Sequence, residues 1–337
     1  MTLLVRQQEP TRAPAWQGVQ DLPQLTTTVP REYVHRASLA EVFLTGCRQL
    51  DGTRFELTGQ WPRAHTFFTS SDGTQHDPMQ AAETIRQVGL FLAHSEFGVP
   101  LGHHFLLRDM EFSVIPDNLG IGARPSELTL QAACTDVKWR GNRLVQFAMR
   151  ITIERDGRLA ARGSGHFTCV APAAYHRLRG AGHTETGTVP IPRPLPVEPW
   201  RVGRSSVADV VLSATDQPGR WLLSPDPRHP ILFDHGGDHV PGMVLIEAAR
   251  QAACGLLEGD TFLPVRAITE FHRYAEFATP CWIDAVLAHP EQPGTRSVYV
   301  TGHQDGNEVF RTRLDGECAH HGAPREQRAG AAQDVGA

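Results

Sequence analysis

Apolar residues recur at positions 79, 82, 85, 88 and 92, close to helical spacing, and predict a helix over Pro78–His94. Asp77 suits its N-cap, and Pro78 suits the first turn, where a missing N–H costs nothing. A second helix is predicted over Gly242–Leu257. It is apolar nearly all round apart from Glu247, Arg250 and Gln251, the pattern of a helix enclosed by protein. β-rich runs follow each helix: Phe105–Val114, Leu128–Val137, Leu144–Ile153 and Phe167–Val170 after the first, Ala267–Phe277, Trp282–Leu287, Ser297–Thr301 and Glu308–Arg313 after the second. Asp156-Gly157 and Asp305-Gly306 read as hairpin turns between strands.

The two halves repeat each other. Met79, Glu83, Arg86 and Gln87 match Met243, Glu247, Arg250 and Gln251 at one constant offset. Val34-His-Arg-Ala-Ser-Leu-Ala-Glu-Val-Phe-Leu-Thr45 is matched by Val202-Gly-Arg-Ser-Ser-Val-Ala-Asp-Val-Val-Leu-Ser213. Val99-Pro100 recurs as Leu263-Pro264, and Glu111-Phe112 as Glu276-Phe277. Pieces in the same order in both halves imply a duplicated module. A long buried helix wrapped by an antiparallel sheet, present twice, describes an α+β double hotdog. Residues 1–28 read as an extended arm, 29–174 as the first module, 175–200 as a Pro/Gly-rich linker, 201–320 as the second module and 321–337 as a disordered tail.

At 337 residues the chain has room for about two domains. A net charge of −5 supplies no basic field and counts against a nucleic-acid binder. The basic residues are nearly all arginine, Lys138 being the one lysine, which reads first as a genome-composition bias. Cys47, Cys134, Cys169, Cys254, Cys281 and Cys318 form no CxxC pair and mostly lie in apolar runs, which fits a reducing cytoplasm. The N-terminus has no signal-peptide pattern, and no stretch reaches the length of a membrane span.

Glu83 and Arg86 stand three residues apart on one helix face, as do Glu247 and Arg250. Charges committed to an apolar helix carry a desolvation cost and persist by pairing or by working on a substrate. His235, on a glycine-rich loop before the second helix, is placed to meet a carboxylate as acid or base; His76 and His239 are weaker candidates. Glu247, His235 and Glu83 are thus the catalytic candidates. Arg250, Arg86, Gln251, Gln87 and Gly242 are the substrate-binding candidates. There is no GxGxxG opening a helix, no GxxxxGK[ST], GxSxG or HExxH. Gly163-Ser-Gly165 reads as a bulge rather than a nucleophile elbow. His103-His104 has no third ligand in view, so no metal and no cofactor is expected.

Val29-Pro-Arg-Glu-Tyr-Val-His-Arg36, His76-Asp-Pro-Met-Gln-Ala-Ala-Glu-Thr-Ile-Arg-Gln87, Gly98-Val-Pro-Leu-Gly-His-His-Phe105 and Phe233-Asp-His-Gly-Gly-Asp-His-Val-Pro-Gly-Met-Val-Leu-Ile-Glu-Ala-Ala-Arg-Gln251 resemble the A-factor biosynthesis family, the γ-butyrolactone signal synthases of actinomycetes. The resemblance runs from about residue 29 to 318. It implies an acyltransferase that moves a β-ketoacyl group from an acyl-carrier-protein or coenzyme A thioester to the hydroxyl of dihydroxyacetone phosphate, the ester then cyclising to a phosphorylated butenolide. Val240-Pro-Gly-Met-Val-Leu-Ile-Glu247 also resembles the helix of hotdog 3-hydroxyacyl-carrier-protein dehydratases, where a helix glutamate works with a loop histidine. Those positions map to Glu247 and, across a short gap, His235. The first half has only Ser70 or Ser71 near the place of His235. A lactone-binding regulator and a dehydratase or thioesterase use the same fold and stay open as alternatives. Neither a membrane nor a nucleic acid is implied, and both a monomer and a homodimer remain open. With Gly242, His235 and His239 at its mouth, the second module is expected to carry the chemistry, Glu83 and Arg86 shaping the site or holding the second substrate across a pseudo-two-fold.

Overall fold

The computed structural model describes residues 26–180, 194–257, 260–290 and 294–320. Most of the proposed arm, much of the linker and all of the tail lie outside these residues. The first half contributes β1 (Leu44–Gln49), β2 (Arg54–Trp61), β3 (His104–Val114), β4 (Ser126–Arg140), β5 (Arg143–Arg155) and β6 (Arg158–Val170). The second contributes β7 (Leu212–Ala214), β8 (Arg220–Leu223), β9 (Asp260–Phe271), β10 (Trp282–Ala288), β11 (Arg296–Gln304) and β12 (Asn307–His320). They form one antiparallel sheet in the order β1-β2-β4-β5-β6-β3-β9-β12-β11-β10-β8-β7. Each half would expose a sheet edge by itself, an open template for further pairing. The two edges close on one another where β3 pairs with β9, from Asp109 opposite Glu270 to Ser113 opposite Arg266.

Helix α1 (Pro78–Ser95) forms where the apolar spacing predicts it, with the Asp77 carboxylate accepting from the Met79 N–H at 2.8 Å and Pro78 in the first turn. Between Pro78 and His94 every residue except Arg86 is buried. Helix α3 (Gly242–Leu256) is its counterpart, buried from Val244 to Cys254, and has no side-chain N-cap. Close approach of α1 to the sheet explains two glycines. A Cβ at Gly163 on β6 would lie 2.3 Å from Ile85 of α1, and one at Gly89 of α1 would lie 2.2 Å from Phe167. The Gly163-Ser-Gly165 run is thus helix-packing surface in a continuous strand, not a bulge: its ladder to β5 runs without a register shift there. Both predicted hairpin turns are present, with Asp156 and Gly157 at φ 50° and 75° and Asp305 and Gly306 at 50° and 73°. Two successive positive φ values define the type I′ turn that suits a twisted hairpin.

Several boundaries differ from the sequence reading. β1, β2, β7 and β8 went unassigned; β7 and β8 are three and four residues long, too short to show a period. β6 begins at Arg158 rather than Phe167; its first part, Arg158-Leu-Ala-Ala-Arg-Gly-Ser-Gly165, is largely small or polar and shows no apolar run. β9 runs Asp260–Phe271, and Pro264 is tolerated in it at a register shift opposite Asp315/Gly316. A third helix, α2 (Pro172–Arg179), continues into the segment read as linker. Two of the dipeptide matches do not share a structural place. Val99-Pro100 precede β3 whereas Leu263-Pro264 lie within β9; Glu111 lies in β3, bonded to Arg266, whereas Glu276 lies beyond β9, bonded to Arg179.

Candidate active site

Helices α1 and α3 each carry one fully buried glutamate inside a cage of charge. Glu83 Oε1 accepts from Arg36 Nε at 3.0 Å, Arg86 Nη2 at 2.8 Å and Gln87 Nε2 at 2.8 Å; Oε2 accepts from Arg86 Nε at 2.8 Å. Glu247 repeats the pattern with Arg204 Nε at 2.8 Å, Arg250 Nη2 at 2.8 Å and Gln251 Nε2 at 2.6 Å on Oε1, and Arg204 Nη2 at 2.7 Å and Arg250 Nε at 2.9 Å on Oε2. Burial by itself pushes each carboxyl up, but Arg36 and Arg86 outweigh it at Glu83, and Arg204 and Arg250 at Glu247, holding both down to about 2. A carboxylate so held is a weak base.

Arg36 and Arg204 were missed as site residues, although the matched Val34 and Val202 segments contained them. They also tie the modules together. Arg36 Nη1 donates to the Ile231 carbonyl and Arg204 Nη1 to the Phe67 carbonyl, both at 2.7 Å, so each module's arginine reaches a loop of the other. These reciprocal bonds are the pseudo-two-fold in atomic form. The same loops are organised by His65 and His229. Their Nδ1 atoms accept from the N–H groups of Phe67 and Phe68, and of Ile231 and Leu232, respectively, and their Nε2 atoms lie 3.3 Å and 2.9 Å from Glu41 and Asp209.

Among the described residues, the first copy of the cage opens on space. A cavity of about 690 Å³ is lined by Met79, Glu83, Arg86 and Leu90 of α1, by His35 and Arg36, and by Phe105–Leu107 of β3. The second module supplies His235, Asp238, His239 and the start of α3 at Gly242 and Met243. Arg86 keeps 16% of its side chain exposed, against 5% for Arg250. The second copy is shut. Phe67 lies under Arg204, ring centroid 3.8 Å from the guanidinium carbon, and the space next to Arg250 is taken by Gly203 and Cys254.

The structure therefore groups His235 with Glu83 and Arg86 rather than with Glu247. Burial lowers the His235 pKa, Arg86 and Arg36 lower it further, and Asp234 and Glu83 only partly offset them. Gly242 and His239 line the same cavity, His239 Nδ1 lying 2.7 Å from Asp238. Glu247, Arg250 and Gln251 do not line it. Gln87 and Gln251 are braces: each accepts from a backbone N–H (Phe43, Val211) and donates to a backbone carbonyl (Glu41, Asp209). Their role as substrate ligands is thus replaced by a structural one, since both amide ends are engaged. His76 is buried against Trp61, its Nε2 3.1 Å from Ser126, away from the cavity. Tyr175 of α2 stacks on His104 and donates to Asp238, and Arg179 holds Asp238 and Glu276, so α2 fastens the His235–His239 loop, and Tyr175 also lines the cavity.

A polar pocket with a guanidinium at its floor and an apolar wall of Leu90, Phe105, Leu107 and Phe167 can hold an anionic group beside an acyl chain. Residues 18–171 and 188–320 match the family described as A-factor biosynthesis hotdog domain. A protein of Streptomyces virginiae named 2-oxo-3-(phosphooxy)propyl 3-oxoalkanoate synthase is 50% identical over 286 residues, covering 85% of this chain and 96% of the other. A protein of the same name from Streptomyces griseus is 43% identical over 289 residues, covering 86% and 95%. A putative oleoyl thioesterase from Lactobacillus plantarum is a distant likeness in structure, with TM-score 0.48 and 10% identity over 80% of this chain and 98% of the other.

Proposed function

The chain belongs to the A-factor biosynthesis hotdog family, and from that premise we propose that it transfers a β-ketoacyl group from a thioester to the hydroxyl of dihydroxyacetone phosphate. The observation that carries this reading is Arg86, a guanidinium fixed by Glu83 yet open to the cavity. A locked arginine presents its remaining donors to phosphate without losing side-chain freedom on binding. The Glu83–Arg36 pair orients it. His235 and His239 face it from the second module, and the apolar wall receives the acyl chain. The ester product is what the relatives' shared name describes, and intramolecular condensation would close it to a butenolide phosphate. The donor in this reading is an acyl-carrier-protein or coenzyme A thioester, and use of a phosphorylated acceptor supports a cytoplasmic setting. No helix among the described residues is long and apolar enough to cross a membrane. The reciprocal Arg36–Ile231 and Arg204–Phe67 bonds form within one chain what single hotdogs obtain by pairing.

A dehydratase of the glutamate–histidine kind needs a basic carboxylate, and a glutamate held near 2 by two arginines is poorly suited to that work. The test is incubation of purified protein with a β-ketoacyl thioester and dihydroxyacetone phosphate, with mass spectrometry of the product. The ester or its butenolide is expected. Free acid in place of ester, unaffected by the acceptor, would mean a thioesterase. Replacing the acceptor by unphosphorylated dihydroxyacetone should slow the reaction strongly.

A further inference from the structure

The open and closed copies differ at one backbone position in a telling way. His35 sits in the left-handed region at φ 52°, ψ 56°. Its counterpart in the closed copy is Gly203, at φ 68°, ψ 30°. Glycine adopts this conformation at no steric cost, while a histidine there is strained, and such strain persists where surrounding structure maintains it. In the closed copy a side chain is excluded as well: a Cβ at Gly203 would lie 3.1 Å from Cys254 Sγ and 3.2 Å from Arg250 Nη1. The strained histidine stands only where the cavity is, and it lines that cavity.

Its ring is fixed in one tautomer by a short relay. His94 Nδ1 lies 2.7 Å from the Val99 carbonyl, which can only accept, so Nδ1 carries the proton. Neutral His94 therefore presents a bare Nε2, and that atom lies 2.9 Å from His35 Nε2. His35 must donate through Nε2, which leaves Nδ1 with a free lone pair. Tyr33 stacks on His94 and Phe105 packs edge-on to both rings, holding the pair in place. The groups facing His35 are Arg86, His94, His235 and His104. Burial comes first and these charges second in pushing its pKa down to about 3, so the imidazole is neutral near pH 7.

We propose that His35 is the general base of the acyl transfer, taking the acceptor's hydroxyl proton on Nδ1, with His94 as the positioning residue behind it. This rests on the acyl-transfer reading above. The hydroxyl oxygen attacks the thioester carbonyl and its proton passes to His35 Nδ1. Collapse of the tetrahedral adduct breaks the C–S bond, and the departing sulfur takes that proton back, leaving an ester, a free thiol and neutral His35. An acceptor phosphate at Arg86 offsets the secondary, charge part of that lowering while the part due to burial remains, so His35 is a stronger base with its substrate bound than without it. His235 faces the same space, yet no hydrogen bond of this kind fixes its tautomer.

The experiment is His35→Gly, which installs the residue the closed copy carries, with His35→Asn as a second variant because Asn also tolerates this conformation. We expect kcat to fall by roughly 100-fold or more, the contribution of a positioned base, without a lower thermal midpoint, and added imidazole to restore part of the loss to the glycine variant. Activity of both variants within about threefold of the parent overturns the proposal, as does a loss that imidazole leaves untouched in a folded protein. Ring-nitrogen NMR of the parent gives a readout independent of turnover: His35 should show a protonated Nε2 and a bare Nδ1, and the reverse tautomer overturns the assignment. If the parent protein forms no ester at all, the acyl-transfer reading fails instead, and the NMR result still decides whether His35 is poised as described.

Discussion

The cages around Glu83 and Glu247 each consist of one glutamate, two arginines and one glutamine at nearly the same distances, and one faces a cavity while the other is sealed. The difference lies outside the cage. In the sealed copy Phe67 covers Arg204, Gly203 and Cys254 crowd Arg250, and Ser71 and Gln75 stand where the open copy draws His235 and His239 from the second module. Duplication has kept the ion cluster in both halves because both need it to fix the helix and the crossing loop. On the function proposed above, chemistry belongs to the copy whose neighbours leave room. A charged motif repeated inside one chain thus marks a structural requirement first, and its accessible copy marks the site.

The largest expected effect falls on the sealed copy. Glu247→Ala leaves Arg204 and Arg250, each with about 95% of its side chain buried, without their counter-ion. Removing one partner of such a cluster costs about 3–5 kcal/mol, read as a lower urea midpoint. Glu83→Ala should cost less, because Arg86 can turn toward the cavity and water. Equal losses in the two variants would show that the cavity does not relieve Arg86.

Arg86 and Arg250 sharpen the contrast in function. Arg86→Ala should lower kcat/KM with the phosphorylated acceptor by about 30-fold, the equivalent of about 2 kcal/mol for a charged hydrogen bond, with little change for an unphosphorylated acceptor. Arg250→Ala should act through stability, measured as a lower thermal midpoint with kcat/KM of the folded fraction near the parent value. The reverse pattern would put the substrate in the second module.

Acidification tests the buried charges together. The carboxyls of Glu83 and Glu247 are held near 2, below their unfolded values, so their stabilisation is present above about pH 4.5 and fades as the pH falls toward 2. His35, held near 3 from an ordinary 6.5, acts in the same direction over a higher window. The unfolded chain takes up a proton there that the folded chain refuses, so stability drops as pH falls from about 6.5 toward 3. Chemical denaturation across that window should give a shallower pH dependence for His35→Gly than for the parent. An unchanged slope would mean that His35 titrates normally in the folded protein.

Helices α1 and α3, the hairpin turns and the duplication were legible because each rests on local spacing or on a two-residue signal. Glu83, Arg86, His235 and Gly242, which line the cavity, were likewise legible as candidates, since buried charge on an apolar helix and a glycine-rich loop are visible in one dimension. Their grouping was not. Which histidine meets which carboxylate depends on loops that cross between modules, as Arg36 to Ile231 and Arg204 to Phe67 show, and the sequence order of His235 and Glu247 pointed to the wrong partner. Arg36 and Arg204 stood in matched segments, yet no motif links them to residues 47 and 43 positions away. His35 was hidden for a different reason: its signal is a backbone angle, compared with that of Gly203.

The smallest expected effect concerns how the two helices begin. Asp77 caps α1 by accepting from Met79 N–H, and its other oxygen lies 3.7 Å from Arg204 Nη1, so the cap of the first helix also touches the cage of the second. α3 starts at the equivalent place after Pro241, without a side-chain cap. Asp77→Ala should lower stability by about 1 kcal/mol, the usual worth of an N-cap. Asp77→Asn retains a good capping side chain and removes only the charge. If the asparagine variant matches the parent in denaturant midpoint, the contribution is the cap alone. If it matches the alanine variant, the charge facing Arg204 is the larger part, and the two cages are coupled through the start of α1.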